Sequence, residues 1–268
     1  MTLEHLLETI ILGLIQGVTE WLPISSTGHL RLTERYLFPA TPIPILFDVT
    51  LHIGTLIVTL FFFRKDVKNI LLALLHLDFK TDEGQLIPLI VIGTIPAILI
   101  GLAFSDLIES TFQTAVPIAV ALILCGILLF SSRFAEEKND RITYSVALLI
   151  GIAQGIAIIP GISRSGATIA AALLLGVRKE QAFRFSFLLS IPAIIGAFGL
   201  TVYKEHEALV NTGFSMVEVL LGVLAAMVVS YFALKWLRRI VISKKLYLFA
   251  FYCWLFGAIL LMLDLKIF

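Results

Sequence analysis

The chain has 268 residues, of which 59% are apolar and 15% charged, and its mean hydropathy is +1.00. A soluble domain is nearer half apolar and a quarter charged, so the composition excludes an ordinary soluble fold and indicates an integral membrane protein. The formal net charge of +1 argues against a nucleic-acid partner and gives no global steering field.

The N-terminus, MTLEHLLETIILGL, has neither a basic n-region nor a small-residue cleavage site, and reads as retained structure. A spanning helix needs about 20 mostly apolar residues. Residues 3–22 begin such a run, then break into PISSTGH, and a short apolar stretch follows at about 29–38. Three full spans come next, at 43–63, 86–104 and 112–130, with HLDFKTDEGQ at 76–85 read as a solvated loop. The order then recurs. Residues 142–160 break into PGISRSGAT, a short stretch follows at 167–177, and spans lie at 182–203, 214–234 and 246–265. Proline, glycine and serine at membrane depth free backbone groups that lipid cannot satisfy. Both breaks are therefore expected to be re-entrant helical hairpins, buried in protein or lining a wet cavity. Cys125 and Cys253 lie in apolar runs without CxxC spacing and read as packed thiols.

The two broken regions are copies. GLIQGVTEWLPISSTG (13–28) aligns without a gap on GIAQGIAIIPGISRSG (151–166). Gly13, Gln16, Gly17, Ile24, Ser25 and Gly28 fall on Gly151, Gln154, Gly155, Ile162, Ser163 and Gly166, and Phe47 falls on Phe185. Each half then holds one hairpin and three spans, an odd number, so the second half would enter from the opposite side. The expected fold is an all-α polytopic membrane protein with a single domain. It is an inverted-topology repeat, with repeat 1 at about 1–135 and repeat 2 at about 139–268. With the N-terminus on one side, the opposite side receives fourteen of the twenty basic residues. They lie in loops 64–85, 131–141, 177–181 and 235–245; the N-terminal side has only Arg35, Lys204 and Lys266. The basic side is then cytoplasmic, and both termini face outward.

Two turns meeting at depth would gather Glu20, Ser25, Ser26, Thr27 and His29 from the first copy with Ser163, Arg164, Ser165 and Thr168 from the second. An arginine near the bilayer centre costs about 2.5–3.5 kcal/mol on insertion scales. At the start of a helix it also opposes the dipole, so Arg164 makes sense with an anion beside it. Helix N-termini, hydroxyls and a guanidinium together describe a phosphate site. Ser26 could attack phosphorus, His29 could move a proton, and Glu20 could act as base or hold a divalent cation. The plainer readings are helix N-caps for the serines, a buried hydrogen-bonded His29, and a structural Glu20–Arg164 pair. The duplicated turn weighs against them, because its copies carry different polar residues. Asp48 and His52, one turn apart, either line the cavity or pair with neighbours. Arg184 and Glu218 lie near helix ends and read as snorkelling.

QGVTEWLPISSTGH followed by PGISRSGAT resembles the paired signature motifs of the undecaprenyl-diphosphate phosphatases of the bacitracin-resistance type, and the likeness runs along the whole chain. The resemblance implies hydrolysis of undecaprenyl diphosphate to undecaprenyl phosphate and phosphate, which recycles the lipid carrier for cell-wall synthesis. It implies a divalent cation, Mg2+ or Ca2+, an active site open to the outer face of the plasma membrane, and tolerance to bacitracin. Carried onto this sequence, the acidic pair falls on Gln16 and Glu20. The serine and histidine fall on Ser26 and His29, and the phosphate-binding group on Ser163, Arg164, Ser165 and Thr168. Many relatives have a glutamate where this chain has Gln16. An amide is no general base at neutral pH, so Gln16 is assigned to positioning and the acid–base or metal role to Glu20. The rival reading is an inverted-repeat transporter or lipid-carrier flippase. The expected partners are the lipid substrate and membrane lipid; oligomeric state stays open, a homodimer included.

Overall fold

The structure, a computed structural model, describes residues 3–39, 43, 45–204 and 214–264. Lys266 and residues 40–42, between α2 and α3, lie outside the described residues. Eleven α-helices follow one another in the described residues: α1 (Leu3–Thr19), α2 (Ser26–Leu37), α3 (Ile45–Phe62), α4 (Arg64–Leu75), α5 (Asp82–Thr111), α6 (Ala115–Ser131), α7 (Tyr144–Ile156), α8 (Arg164–Leu174), α9 (Lys179–Lys204), α10 (Met216–Ile242) and α11 (Phe249–Asp264). No strand occurs among them.

Five helices, α5, α6, α9, α10 and α11, are long and apolar enough to cross a membrane, and α3 with α4 makes a sixth candidate bent by 82°. These are the six runs read from the sequence. The stretch 64–85, read there as a loop, instead contains α4 and the start of α5. Arg64, Lys65 and Lys68 stand in the first half of α4, and Leu71, Leu72, Leu74 and Leu75, which stay exposed, in its second. Thr81 starts α5 early by accepting a hydrogen bond from Gly84 N at 3.1 Å. The two broken regions are helix–turn–helix pairs, α1–α2 and α7–α8, whose members pack on each other.

Small residues decide how these pairs seat. Gly13 and Gly17 lie one turn apart on α1, and a Cβ on either would run into the Gly222 or Ala226 carbonyl of α10. Gly151 meets the Gly93 carbonyl of α5 in the same way, and Gly155 lies against Pro96 and Ile100. Without a strong hydrophobic drive between helices in lipid, close backbone approach of this kind supplies the packing. The matched glycines of the duplicated motif are thus helix-contact residues. Each half's hairpin packs on a long helix of the other half, α1 on α10 and α7 on α5, while α6 packs on α11.

Polar contacts group the loops at two ends. At one end, Glu137 bonds Lys244 at 2.9 Å and lies 3.8 Å from Lys179, Arg178 reaches Asp140, and Asn139 bridges Val177. The Lys244 ammonium, with Lys179 and Arg178 behind it, holds the Glu137 carboxyl below the usual range. Arg184 belongs to this end, bonded to Asp66 at 2.6 Å and Glu83 at 3.1 Å. It is paired rather than snorkelling, because α4 and α5 bring two carboxylates to it. At the other end, Arg31 and Arg35 on α2 donate to the Phe112 and Gln113 carbonyls, and Lys204 lies 3.7 Å from Asp106. Glu218 does not snorkel either. It is buried and closes a capping box with Ser215 at the start of α10.

Adding a methyl group at Gly151 should force α7 off α5 and destabilise the protein by about 1–3 kcal/mol, the usual cost of overpacking. Nothing lies within 4 Å of a Cβ added at Gly196. Thermal unfolding in detergent should therefore fall clearly for Gly151→Ala and stay near wild type for Gly196→Ala.

Candidate active site

Each hairpin turn ends in a serine that caps the next helix. Ser25 Oγ accepts from Gly28 N at 3.4 Å, and Ser163 Oγ accepts from Gly166 N at 3.2 Å. The duplicated Ser-x-x-Gly is therefore an N-cap in both copies. The turns then bond each other. Gly161 N donates to Ser25 Oγ at 2.9 Å, and Ser165 Oγ donates to the Trp21 carbonyl at 2.8 Å. Ser163 Oγ donates to the Leu22 carbonyl at 3.5 Å, and its N–H reaches Cys125 Sγ at 3.4 Å. Cys253 Sγ donates to the Pro23 carbonyl at 3.6 Å. Both thiols are free and buried, so they pack as the sequence suggests and also tie α6 and α11 to the turns. Two backbone conformations make this interlock: Gly161 at φ 104° and Ser25 at φ 71°. A serine at positive φ is uncommon. Here its hydroxyl is held from both turns.

Interlocked turns put Glu20 at the centre. Its carboxylate side chain is 2% exposed. Oε1 accepts from Arg164 Nη2, across the boundary between the halves. Oε2 accepts from Ser26 Oγ at 2.6 Å and from Gln16 Nε2 at 3.0 Å, and lies 3.4 Å from His52 Nε2. The Arg164 guanidinium stands 5.3 Å over the Trp21 ring, and Trp21 is pinned by its Nε1–H to Ser230 Oγ at 2.6 Å. Two buried atoms of the centre have no partner: Gln16 Oε1 and Arg164 Nη1. Arg164 also lines a closely packed crevice with Trp21, Ser165, Thr168, Ser186, Phe187 and Ser190.

The sequence-selected residues distribute as follows. Gln16, Glu20, Ser26 and Arg164 form one hydrogen-bonded group. Ser25, Ser163 and Ser165 make the turn-to-turn bonds around it. Thr168 lines that crevice and donates to the Arg164 carbonyl at 2.9 Å, and Thr27 lies half-buried on the first turn of α2. His29 is held by other partners. Its Nδ1 faces the Ser25 carbonyl at 2.8 Å, which can only accept, so Nδ1 carries a proton. Nε2 of the neutral ring then accepts from Tyr252 O–H at 2.7 Å. The imidazole stacks on Phe256 at 4.8 Å, which fixes its plane. The Ser26 hydroxyl donates to Glu20 Oε2, while no hydrogen bond joins it to His29.

Trp21, Tyr252 and Ser186 join the site without having been chosen for it from the sequence, and of the two readings left open for His52 the structure brings it to Glu20. His52 Nδ1 faces the Asp48 carbonyl at 2.8 Å and so is protonated, and its Nε2 bonds Glu20 as a donor only when the ring is cationic. Asp48 on α3 lies beside the Glu34 carboxyl of α2. Among the described residues no three His, Cys, Asp or Glu side chains group as a metal site. The donors that a cation could use at the centre are the Glu20 carboxylate and the unpartnered Gln16 Oε1, both oxygens.

The chain matches the family model described as bacitracin resistance protein BacA over residues 9–259. It is 39% identical over 261 residues to a protein of Carboxydothermus hydrogenoformans named undecaprenyl-diphosphatase, covering 96% of this chain and 97% of that one. Proteins of the same name from Halothermothrix orenii and Thermodesulfovibrio yellowstonii are 40% and 41% identical, each over 97% of this chain and 98% of its relative. With the match running nearly end to end and through both turns, the chain belongs to the BacA family of bacitracin resistance proteins.

Proposed function

We propose that the protein is a membrane phosphatase that hydrolyses undecaprenyl diphosphate to undecaprenyl phosphate and phosphate, so recycling the lipid carrier and conferring bacitracin tolerance. The substrate is the one named for its relatives. The observation that carries the reading for this chain is the Ser26–Glu20–Arg164 group, in which an acid, a hydroxyl and a guanidinium from two different hairpins meet. Ser26 Oγ attacks the terminal phosphorus as its proton passes to Glu20 Oε2. The bond between that phosphorus and the bridging oxygen breaks, and undecaprenyl phosphate leaves. Water then cleaves the Oγ–P bond and releases phosphate. Arg164, standing at the start of α8, neutralises charge on the phosphoryl oxygens, with the N-termini of α2 and α8 adding backbone donors. His29, held by Tyr252, is placed for proton transfer on the side facing α11.

A divalent cation, Mg2+ or Ca2+, fits the centre if it is shared with the diphosphate, because Glu20 and Gln16 Oε1 offer two oxygens and the substrate the rest. Bound there, it would neutralise phosphoryl charge. The protein is placed in the plasma membrane with both termini and the site toward the outer face, as an inverted repeat. Three features support this reading: the basic loops gathered at one end, the recurring helix order, and the exchanged packing of α1 on α10 and α7 on α5.

Three outcomes test the mechanism in a phosphate-release assay on purified protein with a prenyl diphosphate. Arg164→Ala should lower turnover by at least a hundredfold, about 2.7 kcal/mol, and near-normal turnover would remove Arg164 from the site. Ser26→Ala should be equally severe, and intact-protein mass spectrometry of wild type quenched in turnover should find phosphate on Ser26. Loss of activity with no such adduct would favour direct attack by water. EDTA should stop turnover and Mg2+ or Ca2+ restore it; undiminished activity in EDTA would exclude the cation.

A further inference from the structure

The loop after α6 has its three acids taken: Glu136 lies 3.1 Å from Lys138, Asp140 3.2 Å from Arg178, and Glu137 2.9 Å from Lys244. Arg133, where that loop begins, has no carboxylate partner among the described residues; its guanidinium stands 5.6 Å from the centre of the Tyr247 ring. It lines a cleft of about 400 Å³, counting the open mouth, where the segment after α6, the start of α9 and the turn after α10 converge. Lys179 and Lys244 line the same cleft, and Glu137 is its one carboxylate. A single oxygen of Glu137 serves both ammoniums, lying 3.8 Å from Lys179 as well as 2.9 Å from Lys244. A guanidinium has five donors and an ammonium three, so Glu137 leaves most of the cleft's donors unmet. The inner wall is apolar, made by buried Leu173, Val241 and Leu246. Beside Arg133, Phe134 and Phe251 both meet Phe130 edge-on and are exposed, at 72% and 53%.

We infer that this cleft binds the headgroup of an anionic phospholipid, with Arg133, Lys179 and Lys244 donating to its phosphate and the acyl chains passing over Phe134 and Phe251. Basic pockets between helix ends at a membrane surface suit such headgroups. Free phosphate offers the same oxygens, but it leaves the apolar inner wall and the aromatic ledge uncovered. A diacyl lipid covers both, and aromatic rings at the headgroup level are a usual feature of membrane interfaces. The cleft shares no lining residue with the Glu20–Arg164 centre, and the inference does not depend on the phosphatase reading.

Binding to the full chain in detergent tests it. Dioleoyl phosphatidylglycerol and dioleoyl phosphatidylcholine are titrated separately by native mass spectrometry, and inorganic phosphate by calorimetry. Wild type should prefer phosphatidylglycerol to phosphatidylcholine, and Arg133→Gln should weaken phosphatidylglycerol about fivefold, the effect of one basic side chain at an anionic surface. Arg133→Lys keeps the charge and should restore most of the affinity. Glu137→Gln, which frees both ammoniums, should tighten phosphatidylglycerol, a gain that a damaged fold would not produce. Lys68→Gln, on α4 at the same end, should leave it unchanged. Phosphatidylglycerol affinity within twofold of wild type in Arg133→Gln overturns the site. An equal loss in Lys68→Gln also overturns it, because the preference would then belong to the whole basic surface. Weakening in Arg133→Gln confined to inorganic phosphate overturns the lipid and leaves a cleft for the free ion.

Discussion

A helix that stops within hydrocarbon leaves carbonyl and amide groups that only protein can satisfy. This chain has two helix breaks between apolar runs, after α1 and after α7, and the solution is reciprocal. The amide of Gly161 is received by Ser25, the carbonyls of Trp21 and Leu22 by Ser165 and Ser163, and the carbonyl of Pro23 by Cys253. Neither turn is complete alone. The same requirement that closes the backbone also brings the side chains of residues 20–29 and 163–168 together, so the chemistry follows from the need to bury two broken helices.

At the centre of that junction lies an ion pair of Glu20 and Arg164 almost shut off from solvent. Burying two charges is costly, and removing one partner from a buried pair typically costs about 3–5 kcal/mol because the other is stranded. The surroundings lessen the cost. Gln16 and Ser26 donate to the carboxylate, and the Trp21 face carries the guanidinium. On the phosphatase reading, an incoming phosphoryl group would take over the guanidinium while Glu20 keeps its bonds to Gln16 and Ser26.

The duplicated motif was enough to bring Glu20, Ser26 and Arg164 to one place, because an aligned repeat encodes which two turns must meet. It could not separate packing from chemistry. Gly13, Gly17, Gly151 and Gly155 read as part of a break signal, yet they serve contacts with α10 and α5 that the linear pattern does not name. His29 followed Ser26 at one-turn spacing, which suggested a proton partner. Both ring nitrogens are instead engaged by the Ser25 carbonyl and by Tyr252, far along the chain. His52 and Trp21 were in view as residues but their partners were not, since Glu20 and Arg164 reach them only through tertiary packing. Two signals were readable and passed over. Ser215 and Glu218 stand at capping-box spacing, and FSFLLS places two serines in an otherwise apolar span.

The glycine contacts bear on how the molecule can move. Both of them, Gly13 on Gly222 and Gly151 on Gly93, cross from one half of the chain to the other, and each is backbone against backbone. Surfaces that close have no side chains to act as rollers, so sliding by even one residue would drive a Cβ into a carbonyl. Rocking one half about the other, as a carrier must to expose its cargo alternately, would have to unzip both seams together. The architecture instead favours a stationary scaffold, with mobility left to the lipid that enters it.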